Sequence, residues 1–69
     1  DVKNKDIDSK VIQVTTANMS GDGAARGTVA DGVAGRLGID VERVERRIET
    51  LLEQSRGIYE PIDGHLKPT

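Results

Sequence analysis

Side chains able to hydrogen-bond base edges or phosphates cluster in one stretch of this 69-residue chain: Arg43, Arg46, Arg47, Thr50 and Gln54. Arginine can bond guanine bidentately and threonine or glutamine can reach other base edges, so on a helix lying in a major groove these five would contact DNA. Projected at about 100° per residue, they share a sector roughly opposite the apolar residues Val41, Val44, Ile48, Leu51 and Leu52. Glu42, Glu45, Glu49 and Glu53 fill a sector on one flank. Carboxylates there repel phosphates, so DNA binding is expected to be weak and to fade with salt. The plain alternative is a solvated helix face, which charge runs ordinarily are. Toward the end of the chain Lys67 completes the candidate contact set, with Arg56 the other fixed positive charge near Asp63 and His65.

Other chemistry is sparse. The glutamates lie on a convex helix surface that encloses no cation. His65 is the only histidine and reads as a surface residue rather than a ligand or general base. Gly21-Asp22-Gly23 resembles the start of a phosphate-binding loop but lacks the Gly-Lys-Ser/Thr ending, and reads as a turn. No nucleophile has a partner, so no catalytic, metal or cofactor site is expected within this chain. Having no cysteine excludes disulfides and thiolate metal sites. Twelve acidic against ten basic residues, a net charge of -2, argue against nucleic-acid binding driven by bulk charge.

The elements that must position these residues are small. This length makes at most one domain, and with 35% hydrophobic residues and Tyr59 as the only aromatic, the core must be built from Val, Ile, Leu and Ala. No apolar run suits a membrane span and nothing resembles a signal peptide, so the chain reads as soluble, and without cysteine it reads as intracellular and cytoplasmic. Starting at Asp1, it reads as a piece of a longer protein. Residues 1–5 are expected to be a flexible lead and residues 6–69 one folded domain.

Ile7, Val11, Val14 and Met19 fall near helical spacing and predict a first helix over Asp6 to Met19, although the β-branched run from Val11 to Thr16 also suits a strand. Ser20 to Gly23 is a loop, and Ala24 to Thr28 is extended and able to supply a short strand. Thr28 and Asp31 suit the start of a second helix carrying Val29, Val33 and Leu37 and ending at Gly38, with close packing expected at Gly32 and Gly35. Asp40 suits the N-cap of a third helix over Val41 to Arg56, with Ile39 and Val44 spaced as a hydrophobic staple and Gly57 as the stop. Two helices joined only by Leu37-Gly38-Ile39-Asp40 have helix-turn-helix geometry.

Asp63-Gly64 then predicts a type I′ hairpin pairing Ile62 with His65, Pro61 with Leu66 and Glu60 with Lys67, the last an ion pair. Its apolar face would hold Tyr59, Pro61 and Leu66, with Pro61 on an edge strand. The whole is mainly α with a small β-hairpin: a winged helix-turn-helix of three helices plus a β wing.

The segment Gly57-Ile58-Tyr59-Glu60-Pro61-Ile62-Asp63-Gly64-His65-Leu66-Lys67-Pro68 resembles the end of archaeal minichromosome maintenance (MCM) helicases, where a winged helix follows the ATPase domain. Gly38 to Leu52 is similar to that family's capped, Glu-rich third helix, while the first half of the chain matches by architecture only. The resemblance implies a parent that unwinds DNA as a hexameric ring, with ATP, Mg and the catalytic residues in the ATPase domain outside this chain. It implies a tethered accessory domain, monomeric when isolated, that tunes ATPase and helicase activity, contacts initiator or loader proteins, and touches DNA weakly if at all. Two other readings stay open: a protein-interaction winged helix like that ending the middle subunit of replication protein A, and a DNA-reading transcription regulator, which would favour palindromes and dimerise.

Overall fold

The computed structural model describes all 69 residues. In chain order it contains α1 (Asn4–Ala17), β1 (Ala24–Ala25), α2 (Arg26–Leu37), α3 (Val41–Gln54), β2 (Ile58–Ile62) and β3 (His65–Pro68). The strands form one antiparallel sheet in the order β1-β3-β2. This is a winged helix-turn-helix, with α2 and α3 as its paired helices and the β2–β3 hairpin as the wing.

The β-branched run that could have been a strand lies in α1, because Ile7, Val11 and Val14 present one helical stripe to the core, each at most 1% exposed. Side chains tie down its last turns: the Thr16 hydroxyl donates to the Ile12 carbonyl and Asn18 Nδ2 to the Val14 carbonyl. The helix ends at Ala17, leaving Met19 exposed outside it. It begins at Asn4, two residues ahead of the expected start, with Asp6 accepting from the Lys3 backbone N–H at 3.1 Å. Val2 packs against the core, so part of the expected lead is structured.

The second helix also starts early. Its first residue is Arg26, and Thr28 sits inside the first turn rather than at the cap. The reason is tertiary: the Arg26 backbone N–H donates to the Gly64 carbonyl of the wing turn at 2.9 Å, so a turn carbonyl satisfies the first helical N–H where no side chain caps the helix. Gly32 approaches α1, since a Cβ there would lie 3.4 Å from Val14 Cγ1, whereas Gly35 has open space and no close packing. At Gly38 the backbone turns left-handed (φ 65°) and the Ile39 N–H reaches the Ala34 carbonyl at 3.1 Å, which closes the helix sharply enough for α3 to start at once.

Asp40 occupies the N-cap of α3 as expected, but its side chain makes no capping bond. The helix stops at Gln54, before the expected Arg56. Ser55 takes the left-handed conformation (φ 53°), and N–H groups of Ser55 and Arg56 bond the Leu52 and Leu51 carbonyls, the Schellman pattern. Gly57 follows with φ 77°, packed against the Ile12 side chain.

The wing departs most from expectation. Ile62 pairs with His65 as predicted, but Tyr59 pairs with Lys67 and Ile58 with Pro68, with a bulge between Tyr59 and Ile62. Only Gly64 of the turn pair has positive φ (83°), so the turn is not type I′, which needs positive φ at both positions. A turn of the other kind splays strands, and the bulge restores the local twist. The expected Glu60–Lys67 ion pair is therefore absent: Glu60 accepts from the Gly64 N–H at 2.9 Å and lies 3.5 Å from Arg26 Nη1. The wing's core contribution is Ile58 and Leu66, both fully buried, while Tyr59 and Pro61 are exposed. Pro61 does lie on an edge strand, because β3 is central.

Candidate contact surface of the third helix and wing

Val44, Ile48 and Leu51 anchor α3 in the core, and that anchoring decides where its polar sectors point. The structure divides the five candidate residues of the helix. Arg47 turns toward α1, where Nε and Nη2 donate to the two carboxylate oxygens of Asp8 at 2.9 and 2.8 Å. Both side chains are about four-fifths buried. The hydrogen bonds with Asp8 hold the Arg47 pKa above its ordinary value; burial works against them and the charge of Asp8 adds to them. Arg43 also turns back, donating from Nη2 to the Val2 carbonyl at 2.6 Å. Thr50 is half-buried, and its hydroxyl donates to the Arg46 carbonyl at 3.0 Å. Of the five, only Arg46 and Gln54 are exposed.

The outward strip of α3 consequently consists of Glu42, Glu45, Arg46, Glu49 and Glu53, all exposed: four carboxylates to one guanidinium. Glu49 is partly neutralised, because Arg26 Nη2 lies 2.9 Å from its Oε1 while Nη1 reaches Glu60 on the wing. Arg26 thus ties the start of α2 to both α3 and β2. Neither Arg26 nor the Asp8–Arg47 pair figured among the sequence candidates. A basic residue opening a helix runs against the helix dipole, but that sign of a tertiary role for Arg26 appears only once α2 is seen to start there rather than at Thr28. For Asp8 no local sign exists, since its partner is on another helix.

Lys67 sits apart from the α3 set, on the sheet face turned away from the helices. Residues paired directly across strands share a face. Tyr59 with Lys67, and Ala25 and Ile62 with His65, therefore lie opposite the buried Ala24 and Leu66. Tyr59 and Ile62 are about half exposed there, and His65 Nδ1 is buried without a hydrogen-bond partner.

The Gly21–Gly23 loop is closed on itself as a turn. The Gly23 N–H donates to the Ser20 carbonyl and the Ser20 hydroxyl to the Gly23 carbonyl. A Cβ on Gly23 (φ 108°) would lie 2.7 Å from the Leu66 carbonyl oxygen, so the turn's job is to bring β1 against β3.

Fold and surface together define a winged-helix domain whose recognition-helix position presents mostly carboxylates. No family model, curated protein or solved structure matches the chain. No helix is long and apolar enough to cross a membrane.

Proposed function

We propose that this chain is a non-catalytic accessory domain of an archaeal MCM-type replicative helicase, acting in the cytoplasm mainly through protein contacts. In this role it tunes the ATPase domain of its hexameric parent, which carries the ATP and Mg chemistry, and contacts initiator or loader proteins. The observation that carries the emphasis on protein contacts is the turning of Arg43 and Arg47 onto α1 and its N-terminal lead, which leaves α3 an outward strip of four glutamates and Arg46. A helix so charged repels phosphates where a DNA-reading winged helix must attract them. The helicase assignment rests on the likeness of Gly38 to Leu52 and Gly57 to Pro68 to that family. The same acidic strip suits a protein-interaction winged helix like that of the replication protein A middle subunit, for which an OB-fold upstream in the parent would be the mark. It disfavours a transcription regulator.

Two measurements test the proposal. In a proton–nitrogen NMR titration with duplex and forked DNA, shifts should be absent, or weak and abolished at physiological salt. Strong, salt-resistant shifts at Arg46, Thr50 and Gln54 would overturn it. Removing the domain from the parent helicase should change its rates of ATP hydrolysis and unwinding, and unchanged rates would remove the accessory role.

A further inference from the structure

We propose that a cavity between α1 and the α3–β2 turn binds an acidic protein segment through one aliphatic or aromatic anchor side chain flanked by carboxylates. The inference rests on the reading that the domain works through protein contacts, and it names the site and the chemistry of the partner. Lys5, Asp8, Ser9 and Ile12 recur along one stripe of α1 and form one wall, while Leu51 and Arg56 form the other, around a volume of about 260 Å³.

Its charge is set by what is already paired. Asp8 is the only acid in the cavity, and both of its oxygens are taken by Arg47. Lys5 and Arg56 are exposed and belong to no ion pair. Lys5 lies in the first turn of α1, where the helix dipole already contributes positive potential. On the opposite wall the carbonyls of Leu51 and Leu52 are occupied by the N–H groups of Arg56 and Ser55, so the end of α3 offers little to offset those cations. The rim is therefore cationic, over apolar side chains supplied by Ile12 and Leu51.

Size and lining favour a protein segment over other anions. The volume is below the roughly 300–1,000 Å³ of small-molecule pockets, and only two of its seven lining residues, Ile12 and Leu51, are hydrophobic. No aromatic side chain lines it, so a nucleic-acid base finds nothing to stack on. A branched or aromatic side chain seated over Ile12, with aspartate or glutamate on either side reaching Lys5 and Arg56, matches both the apolar floor and the two free cations of the cavity.

The test is an NMR titration of the labelled chain with an acetylated, amidated peptide carrying two leucines among aspartates and glutamates. Its isostere, with every acid replaced by asparagine or glutamine, is the control, and a single-stranded oligonucleotide is run alongside. Shifts should centre on Lys5, Ser9, Ile12 and Gly57 and be lost with the amide control. Lys5→Glu and Arg56→Glu, both at exposed positions, should each weaken binding by roughly three- to tenfold while the spectrum stays folded. No shifts at millimolar peptide, shifts centred elsewhere, or binding indifferent to both reversals would overturn the site. Such a failure leaves the protein-contact role standing, whereas tight, salt-resistant oligonucleotide shifts along α3 would sink that role itself.

Discussion

Breaking the Asp8–Arg47 pair is the sharpest way to ask whether this helix uses its arginines for architecture or for binding. The two charge-assisted bonds at 2.8 and 2.9 Å join α1 to α3, and about a fifth of each side chain remains in water. Hydrogen bonds to charged groups contribute about 1.5–3 kcal/mol when well shielded, and residual solvent screening lowers that, so a coupling energy of about 1–2 kcal/mol is expected. Asp8→Asn, Arg47→Gln and the double variant form the thermodynamic cycle, read by urea unfolding and thermal melts. Each single variant should lower the melting temperature by about 6–12 °C in a domain of this size, with the double variant well short of the sum. The pH dependence has a definite sign. A folded-state pKa raised above the unfolded value means that the guanidinium's contribution is complete below arginine's ordinary range and is lost only as pH climbs through the raised value, in strong alkali. The coupling should therefore be level from about pH 7 to pH 10. A coupling under about 0.3 kcal/mol, or an Arg47→Gln variant that melts normally yet loses affinity for a ligand, would refute the architectural role.

Gly23→Ala places a Cβ against the Leu66 carbonyl at positive φ and should destabilise by at least about 2 kcal/mol, whereas Gly35→Ala, in open space within α2, should stabilise by about 0.5–1 kcal/mol; chemical denaturation of both checks the contrast. Thr15 is fully buried in α1 with its hydroxyl unpartnered, so Thr15→Val should raise stability by about 1 kcal/mol, and a loss would reveal a bond to that hydroxyl. Replacing Glu45 and Glu53 by lysine turns the outward strip of α3 cationic without touching the core. Measured by fluorescence anisotropy at low salt, the variant should gain DNA affinity that falls steeply with added salt, and no gain would mean that charge is not what keeps this face off DNA.

How far the sequence could be read depended on whether a feature was local. The apolar stripes of α1, α2 and α3 have helical spacing and needed no partner to be seen, and Asp63-Gly64 marked the wing turn. The start of α2 at Arg26, ahead of Thr28, is not legible locally because its N-terminal donor is satisfied by the Gly64 carbonyl, which no spacing around Thr28 announces. The wing register shifted because Glu60 bonds the Gly64 N–H and faces Arg26, an arrangement visible only once α2 lies beside the hairpin. Among the contact residues, a helical projection gives the angle of Arg43 and Arg47 around α3 but not the position of α1. Arg47 projects beside the Leu51 edge of the core and Arg43 farther round, and in both cases the neighbouring chain decides between solvent and packing.

A core of aliphatic side chains with no aromatic leaves α1 and α3 to be locked at their margin by polar groups, and α3 supplies them from the side that would otherwise meet a phosphate backbone. Returning Arg43 and Arg47 to the outward strip would leave it far less acidic but would loosen α1. Within this fold, then, the charge that joins the helices and the charge that could grip DNA draw on the same arginines. With Arg43 bonded to the Val2 carbonyl and Arg47 to Asp8, the outward strip of α3 is left acidic, while Lys5 and Arg56, which belong to no ion pair, flank the cavity between α1 and the α3–β2 turn. An acidic strip on α3 and a cationic cavity rim beside the Asp8–Arg47 pair are what the proposed protein-contact role would use, each for a partner of opposite charge.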